Sequence, residues 1–191
     1  MKALEDKIRA EGRALNADVL LVDSFLNHQV DVQLMKAVGE AFAAYFSGKG
    51  ITRVVTVESS GIAPAAMTAL AMELPLVVLK KQASRILTDD VVQTTVKSFT
   101  KGVQYELTLK RHFVLPDDKI LLIDDFLASG EAALGVHRLL EGLGVQLAGI
   151  GIVIEKAFQP GHERLQALGC DVYSLARVKH MDVDTIEFIE E

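Results

Sequence analysis

Apolar residues recur at helical spacing over residues 4–14 and again over 32–46, whereas 53–57, 76–79 and 120–123 are short runs that are apolar at almost every position. The first pattern predicts amphipathic helices. The second predicts strands buried on both faces of a sheet. Gly48 and Gly50 close the second helix, and helical spacing returns in 63–73, with Pro64 in the first turn, in 131–142 and in 162–168. Further strands are predicted at 147–154 and 172–175. Strand and helix therefore alternate, which predicts an α/β class with a mainly parallel central sheet flanked by helices on both faces. Residues 84–111 interrupt that order. They are rich in Thr, Ser, Val and Gln, with Gly102 between two strand-like halves, and predict a hairpin excursion able to fold over a crevice and exclude water. Residues 18–30 are mixed in character, and no repeat, low-complexity tract or Pro-, Gly- or Ser-rich linker marks a boundary. A single domain over residues 1–191 is expected.

Composition narrows the function. A chain of 191 residues that is 50% hydrophobic is long enough to bury about 70% of its unfolded surface in one core. Its 26 acidic and 20 basic residues leave a net charge of −6, which excludes the basic footprint of a nucleic-acid binder and points to small-molecule partners. Cys170 is the only cysteine, so no intramolecular disulfide forms and a reducing compartment is expected. The opening MKALEDKIRAEG lacks the apolar stretch of a secretion leader, and apolar runs such as 147–154 are too short to span a bilayer. A cytoplasmic protein with no membrane role is expected. The histidines at 28, 112, 137, 162 and 180 show no metal-ligand spacing and no nucleophile partner.

The most informative stretch is KILLIDDFLASGEA, residues 119–132. Its apolar run ends in Asp124 and Asp125, which places both carboxylates at the carboxyl end of a buried strand, the end that faces the ligand crevice in open α/β sheets. Ala128, Ser129, Gly130, Glu131 and Ala132 then open a helix, where backbone N–H groups close around an anion. Vicinal hydroxyls suit the carboxylates and a phosphate suits the loop. The alternative is an ordinary acidic turn between strand and helix. A second turn, Glu58, Ser59, Ser60 and Gly61, again lies between a buried strand and a helix, and is either an anion nest or a helix N-cap by one of the serines. Lys80 and Lys81 follow the next strand at the same edge, as cations for a pyrophosphate or as a solvated strand end.

Four apolar residues, two acids and a small-residue phosphate loop resemble the signature of the type I phosphoribosyltransferases. The resemblance implies that family's fold: a mainly parallel sheet flanked by helices, a flexible hairpin insertion, and a small hood built from the termini, here about 1–31 and 155–191. It implies that Asp124 and Asp125 hold the ribose hydroxyls of phosphoribosyl pyrophosphate and carry the catalytic role. Residues 128–132 would hold its 5′-phosphate, and the turn at Glu58, Ser59 and Ser60, with a non-proline cis peptide, would hold pyrophosphate with Lys80 and Lys81. Residues 97–101 match the mobile loop, with Ser98 closing on substrate and Phe99 standing where relatives often carry tyrosine. Many members have Thr-Gly-Gly-Thr where this chain has Ser-Gly-Glu-Ala. Glu131 is therefore expected to turn its side chain away and contribute only its N–H.

VDSFLNHQVD (22–31), VESSGIAPA (57–65), IDDFLASGEA (123–132) and IVIEKAFQPG (152–161) resemble the xanthine-using purine branch of the family. That resemblance implies a xanthine pocket lined by Leu20 and Asn27, with Lys156 donating to an exocyclic oxygen. Xanthine carries oxygens at C2 and C6 and loses a proton near neutral pH, so donors and a cation suit it, and Phe158 has the ring to cover its face. Taken without the resemblance, Asn27 reads as a turn residue and Lys156 as a surface lysine. The implied reaction transfers ribosyl phosphate to N9 of xanthine with inversion, assisted by Mg²⁺ on the substrate phosphates, in a homodimer. Transfer to guanine or hypoxanthine, and a regulator that binds phosphoribosyl pyrophosphate without turnover, are the alternatives.

Overall fold

The computed structural model describes residues 1–81, 90–98 and 103–190. Helix α1 (Lys2–Glu11) buries Leu4 and Ile8, one turn apart. It stops three residues before the predicted end, because Gly12 leaves the helix with its N–H on the Ile8 carbonyl at 2.8 Å. Beyond it, β1 (Arg13–Ala14) pairs with β2 (Leu20–Leu21), and Asn16 Oδ1 accepts from the N–H groups of Asp18 and Val19. That local side-chain turn outcompetes helix continuation. A π-helical turn (Asp23–Asn27) leads to α2 (Val32–Phe46), whose N-terminus is capped by Asp31, accepting from the Leu34 N–H at 3.1 Å.

The alternation then runs β3 (Arg53–Val57), α3 (Ile62–Met72), β4 (Leu76–Leu79), the hairpin β5 (Val91–Ser98) and β6 (Val103–Lys110), β7 (Lys119–Leu127), α4 (Glu131–Glu141), β8 (Gln146–Lys156), α5 (Gly161–Gln166), β9 (Val172–Asp182) and β10 (Thr185–Phe188). Six strands form one sheet in the order β10-β9-β8-β7-β3-β4, parallel throughout except for β10. Three strands are longer than the apolar runs suggest. β7 continues through both aspartates to Leu127, because Asp124, Phe126 and Leu127 stay in register with Ile152, Ile154 and Glu155 of β8. Interstrand pairing here overrides the low strand propensity of aspartate. β9 continues past Leu175 and turns back into β10, which the polar stretch 179–187 concealed.

Side chains alternate across β7. Leu121 and Ile123 enter a core layer with α1, α2 and α3, while Ile120 and Leu122 enter a second layer with α4 and the hairpin. In the first layer Phe42 lies so close to β8 that a Cβ on Gly151 would sit 2.8 Å from its ring. In the second layer the hairpin contributes Val96, Leu107 and Leu109, and Arg138 of α4 donates to the Thr95 carbonyl at 3.1 Å. The predicted excursion is thus anchored at its base by its own apolar face, and Lys80 and Thr108 exchange backbone hydrogen bonds to tie it to the end of β4. The terminal segments also meet: the Met1 amino group donates to the Leu175 carbonyl, and the Arg9 guanidinium stands 4.6 Å from the Phe188 ring centre. Phe42 is fully buried, so Phe42→Ala is expected to lower unfolding free energy by about 3–5 kcal/mol, read from urea denaturation.

Candidate active site

Parallel register brings the carboxyl ends of β4, β3, β7 and β8 to one edge, and the predicted polar residues gather there. Val57 pairs with Leu79 across β3 and β4, so Glu58 and Lys80 emerge side by side. Glu58 accepts from the Lys81 N–H at 2.7 Å and from Lys80 Nζ at 3.1 Å. Burial pushes its carboxyl up, but the hydrogen bonds from Lys81 and Lys80 outweigh that and hold it below the usual glutamate range. Its side chain is therefore committed to the basic pair. The Glu58–Ser59 peptide is cis, as the family pattern implies. No side chain caps α3: the Ser59 carbonyl, not a serine hydroxyl, accepts from Ile62 N–H at 3.1 Å. The N-cap reading of Ser59 and Ser60 fails for that reason, and among the described residues their hydroxyls have no hydrogen-bond partner.

This turn closes onto the acidic pair. A Cβ on Gly61 would lie 2.8 Å from Asp124 Oδ1 and 2.5 Å from Thr56 Oγ1, so only glycine fits. Asp124 is 8% exposed and Asp125 half-buried. Burial, reinforced by the adjacent Asp125 charge, pushes the Asp124 carboxyl well above the ordinary aspartate value. The Thr56 hydroxyl beside it is buried without a hydrogen-bond partner among the described residues. Three residues after Asp125, the loop at Ala128, Ser129 and Gly130 bends into α4, with Gly130 in the left-handed region at φ 83°. The Glu131 carboxylate accepts from Arg164 Nη1 at 2.7 Å.

Tyr105 of β6 was not singled out by motif. The Lys81 ammonium stands 5.5 Å from its ring centre, and burial together with the Asp124 and Glu131 charges raises its phenol. Period-two alternation with Leu107 and Leu109 was the available signal. Ser98 ends β5 opposite Val103, and Phe99 lies outside the described residues.

At the end of β8, Glu155 and Lys156 point to opposite faces. Glu155 is 1% exposed and accepts from His162 Nδ1 at 2.9 Å, from Ser174 Oγ, and from Arg177 Nε and Nη2 at 3.3 and 3.2 Å. Burial works against its charge, but these donors prevail and hold it below the ordinary glutamate range. Lys156, only 7% exposed, is no surface lysine. Its ammonium donates to the Asp18 carbonyl and lies 5.5 Å from the Phe126 ring centre, and burial lowers its pKa. One hydrogen bond leaves two of its three N–H groups for other acceptors. Leu20 is buried in the first core layer, Asn27 is exposed at the end of the π-helical turn, and Phe158 is 43% exposed just past Lys156.

An open parallel sheet that carries a carboxylate pair between two helix-starting turns has the edge architecture of an α/β enzyme for phosphorylated sugars. The phosphoribosyl transferase domain matches residues 27–184, and the chain belongs to that family, the type I phosphoribosyltransferases. It is 58% identical over 189 residues to a protein named xanthine phosphoribosyltransferase from Clostridium acetobutylicum, covering 99% of this chain and 100% of the relative. A protein of the same name from Listeria monocytogenes is 49% identical over the full length of both. In fold it resembles adenine phosphoribosyltransferases from Trypanosoma brucei (TM-score 0.78, 16% identity, covering 91% of this chain and 79% of that one) and Giardia lamblia (TM-score 0.77, 22% identity, 93% and 98%).

The Asp124 shift has a consequence for stability. A carboxyl raised on folding adds stability below the unfolded-state value of 3.8 and loses it as pH rises through the folded value. Loss of its proton at rising pH therefore opposes folding. Asp124→Asn is expected to raise the melting temperature at pH 8 by about 3 °C or more, and the gap is expected to close below pH 3.8, as followed by circular dichroism across pH.

Proposed function

We propose that the protein transfers the 5-phosphoribosyl group from phosphoribosyl pyrophosphate to N9 of xanthine, releasing pyrophosphate and forming xanthosine 5′-monophosphate in purine salvage. The observation that carries this reading is the convergence of the 58–61 turn, the Asp124–Asp125 pair and the 128–132 loop on one edge, in a chain 49–59% identical over its length to proteins of that name. In this reading Asp124 and Asp125 hold the ribose hydroxyls and support positive charge growing on the sugar. The N–H groups of Ala128, Ser129, Gly130, Glu131 and Ala132 hold the 5′-phosphate. Main-chain groups of Glu58 and Ser59, the hydroxyls of Ser59 and Ser60, and Lys80 and Lys81 hold the departing pyrophosphate, with Ser98 closing over it. Rate enhancement comes from alignment of base and anomeric carbon, from neutralising the leaving charge, and from excluding water.

Lys156 is the base-reading residue. Its free N–H groups meet oxopurine oxygens, Asn27 adds a donor, Phe158 covers a ring face and Leu20 backs the pocket from the core. Adenine places an amino donor against Lys156 and leaves its two remaining buried N–H groups without an acceptor, at a cost of about 1–3 kcal/mol. The acidic pair offers the oxygen ligands a hard divalent cation prefers, and no group of three or more His, Cys, Asp or Glu among the described residues forms a cage of its own. That fits Mg²⁺ held mainly by substrate, with Asp124 and Asp125 as its protein ligands; when bound, it offsets the charge of the leaving diphosphate.

A homodimer and a single domain belong to the same reading. Helix α3 is apolar around most of its surface and exposes Leu70 at 73%, a face suited to a two-fold contact. Among the described residues no helix is long and apolar enough to cross a membrane, and the lone cysteine is buried and free, which suits work in the cytoplasm. The test offers xanthine, guanine, hypoxanthine and adenine together with Mg²⁺ and phosphoribosyl pyrophosphate and identifies the nucleotide formed. Xanthosine monophosphate is expected as the main product with one pyrophosphate per turnover, and Asp124→Asn or Asp125→Asn is expected to lower turnover about a hundredfold or more. Guanosine or inosine monophosphate as the main product overturns the base assignment, and substrate binding without pyrophosphate release overturns the enzyme reading.

A further inference from the structure

The Ser-Gly-Glu-Ala start of α4 carries a conflict of charge. Glu131 is the first residue of the helix, so its carboxylate belongs to the turn whose N–H groups face the proposed 5′-phosphate. A carboxylate there favours an empty helix N-terminus through the macrodipole and repels a phosphate brought to it. Arg164 of α5 stands against this repulsion. Its Nη1 donates to Glu131 Oε1 at 2.7 Å and to the Ser129 carbonyl at 2.6 Å, so one guanidinium nitrogen engages the two negative ends nearest the loop.

The helix that carries Arg164 is itself fixed to the loop. The Gly161 N–H donates to the Ala128 carbonyl at 3.0 Å, and a Cβ on Gly161 would lie 2.3 Å from that oxygen, so the two backbones touch. His162 is held by buried Glu155 at 2.9 Å, which sets the rotation of α5 about its axis.

We infer that Arg164 is a positioning residue for the ribose 5′-phosphate, which by pairing with Glu131 and the Ser129 carbonyl turns both away from the loop and leaves its N–H groups free for the anion. The inference rests on the assignment of residues 128–132 to that phosphate. Arg164 does this without touching substrate. A partly exposed pair such as this one adds only about 0–1 kcal/mol to folding, so its removal acts on binding more than on stability.

The test is a double-mutant cycle of Arg164→Met and Glu131→Gln, with ribose 5-phosphate and, separately, pyrophosphate titrated calorimetrically into each protein. Arg164→Met is expected to weaken ribose 5-phosphate about tenfold while pyrophosphate affinity stays within about twofold of wild type, because its turn is elsewhere on the edge. Glu131→Gln is expected to improve ribose 5-phosphate binding more in the Arg164→Met background than in wild type. Unchanged affinity in Arg164→Met, equal gains from Glu131→Gln in both backgrounds, or parallel loss of both ligands overturns the inference. A wild-type protein that binds pyrophosphate but not ribose 5-phosphate removes the loop assignment and the inference with it, a pattern distinct from every variant-specific failure.

Discussion

Parallel register between β4, β3, β7 and β8 is the constraint on which the site depends. In a parallel ladder all strands finish on the same side, so whatever follows each apolar run arrives at a common rim. Here those continuations are Lys80 and Lys81, the cis turn at Glu58, the Asp124–Asp125 pair and the Glu155–Lys156 pair. Shifting one strand by a residue would exchange the faces on which the two members of its polar pair stand. The two core layers oppose such a shift, since Leu121 and Ile123 fill one and Ile120 and Leu122 the other.

The rim concentrates charge in places where charge is costly, and the pairs on the neighbouring strands β8 and β7 are handled differently. Glu155 receives donors from α5 and β9 and is stabilised as an anion, a buried ion network that fixes the helix beside the 128–132 loop. Asp124 accepts from the Asp125 N–H and faces the like charge of that neighbour, so its ionised form opposes folding. Lys156 likewise has a single carbonyl partner among the described residues and is lowered by burial. A satisfied carboxylate is scaffold. Buried groups whose charge is poorly supported are those to which a bound polar ligand has most to offer.

Much of this was legible in the residues. The alternating class, the strand at 53–57 and the helix at 32–46 follow from hydrophobic period alone, and the cis peptide at Glu58 follows from the family pattern. The misses share a cause: their determinants are distant in sequence. Continuation of β7 through two aspartates depends on β8, and the β9–β10 return is a polar edge without a strong period. Arg164 lies 33 positions from Glu131, and no local rule joins them. Burial of Lys156 likewise reflects the carbonyl of Asp18, 138 positions away.

The most direct test of the shared rim is the crystal structure of the protein with phosphoribosyl pyrophosphate and Mg²⁺. Electron density is expected to show one sugar spanning the edge, with its 5′-phosphate in the 128–132 loop, its hydroxyls against Asp124 and Asp125, and its diphosphate at the 58–61 turn beside Lys80 and Lys81. A ligand that occupies only one of these turns, or that binds away from the carboxyl ends of β3 and β7, would contradict it.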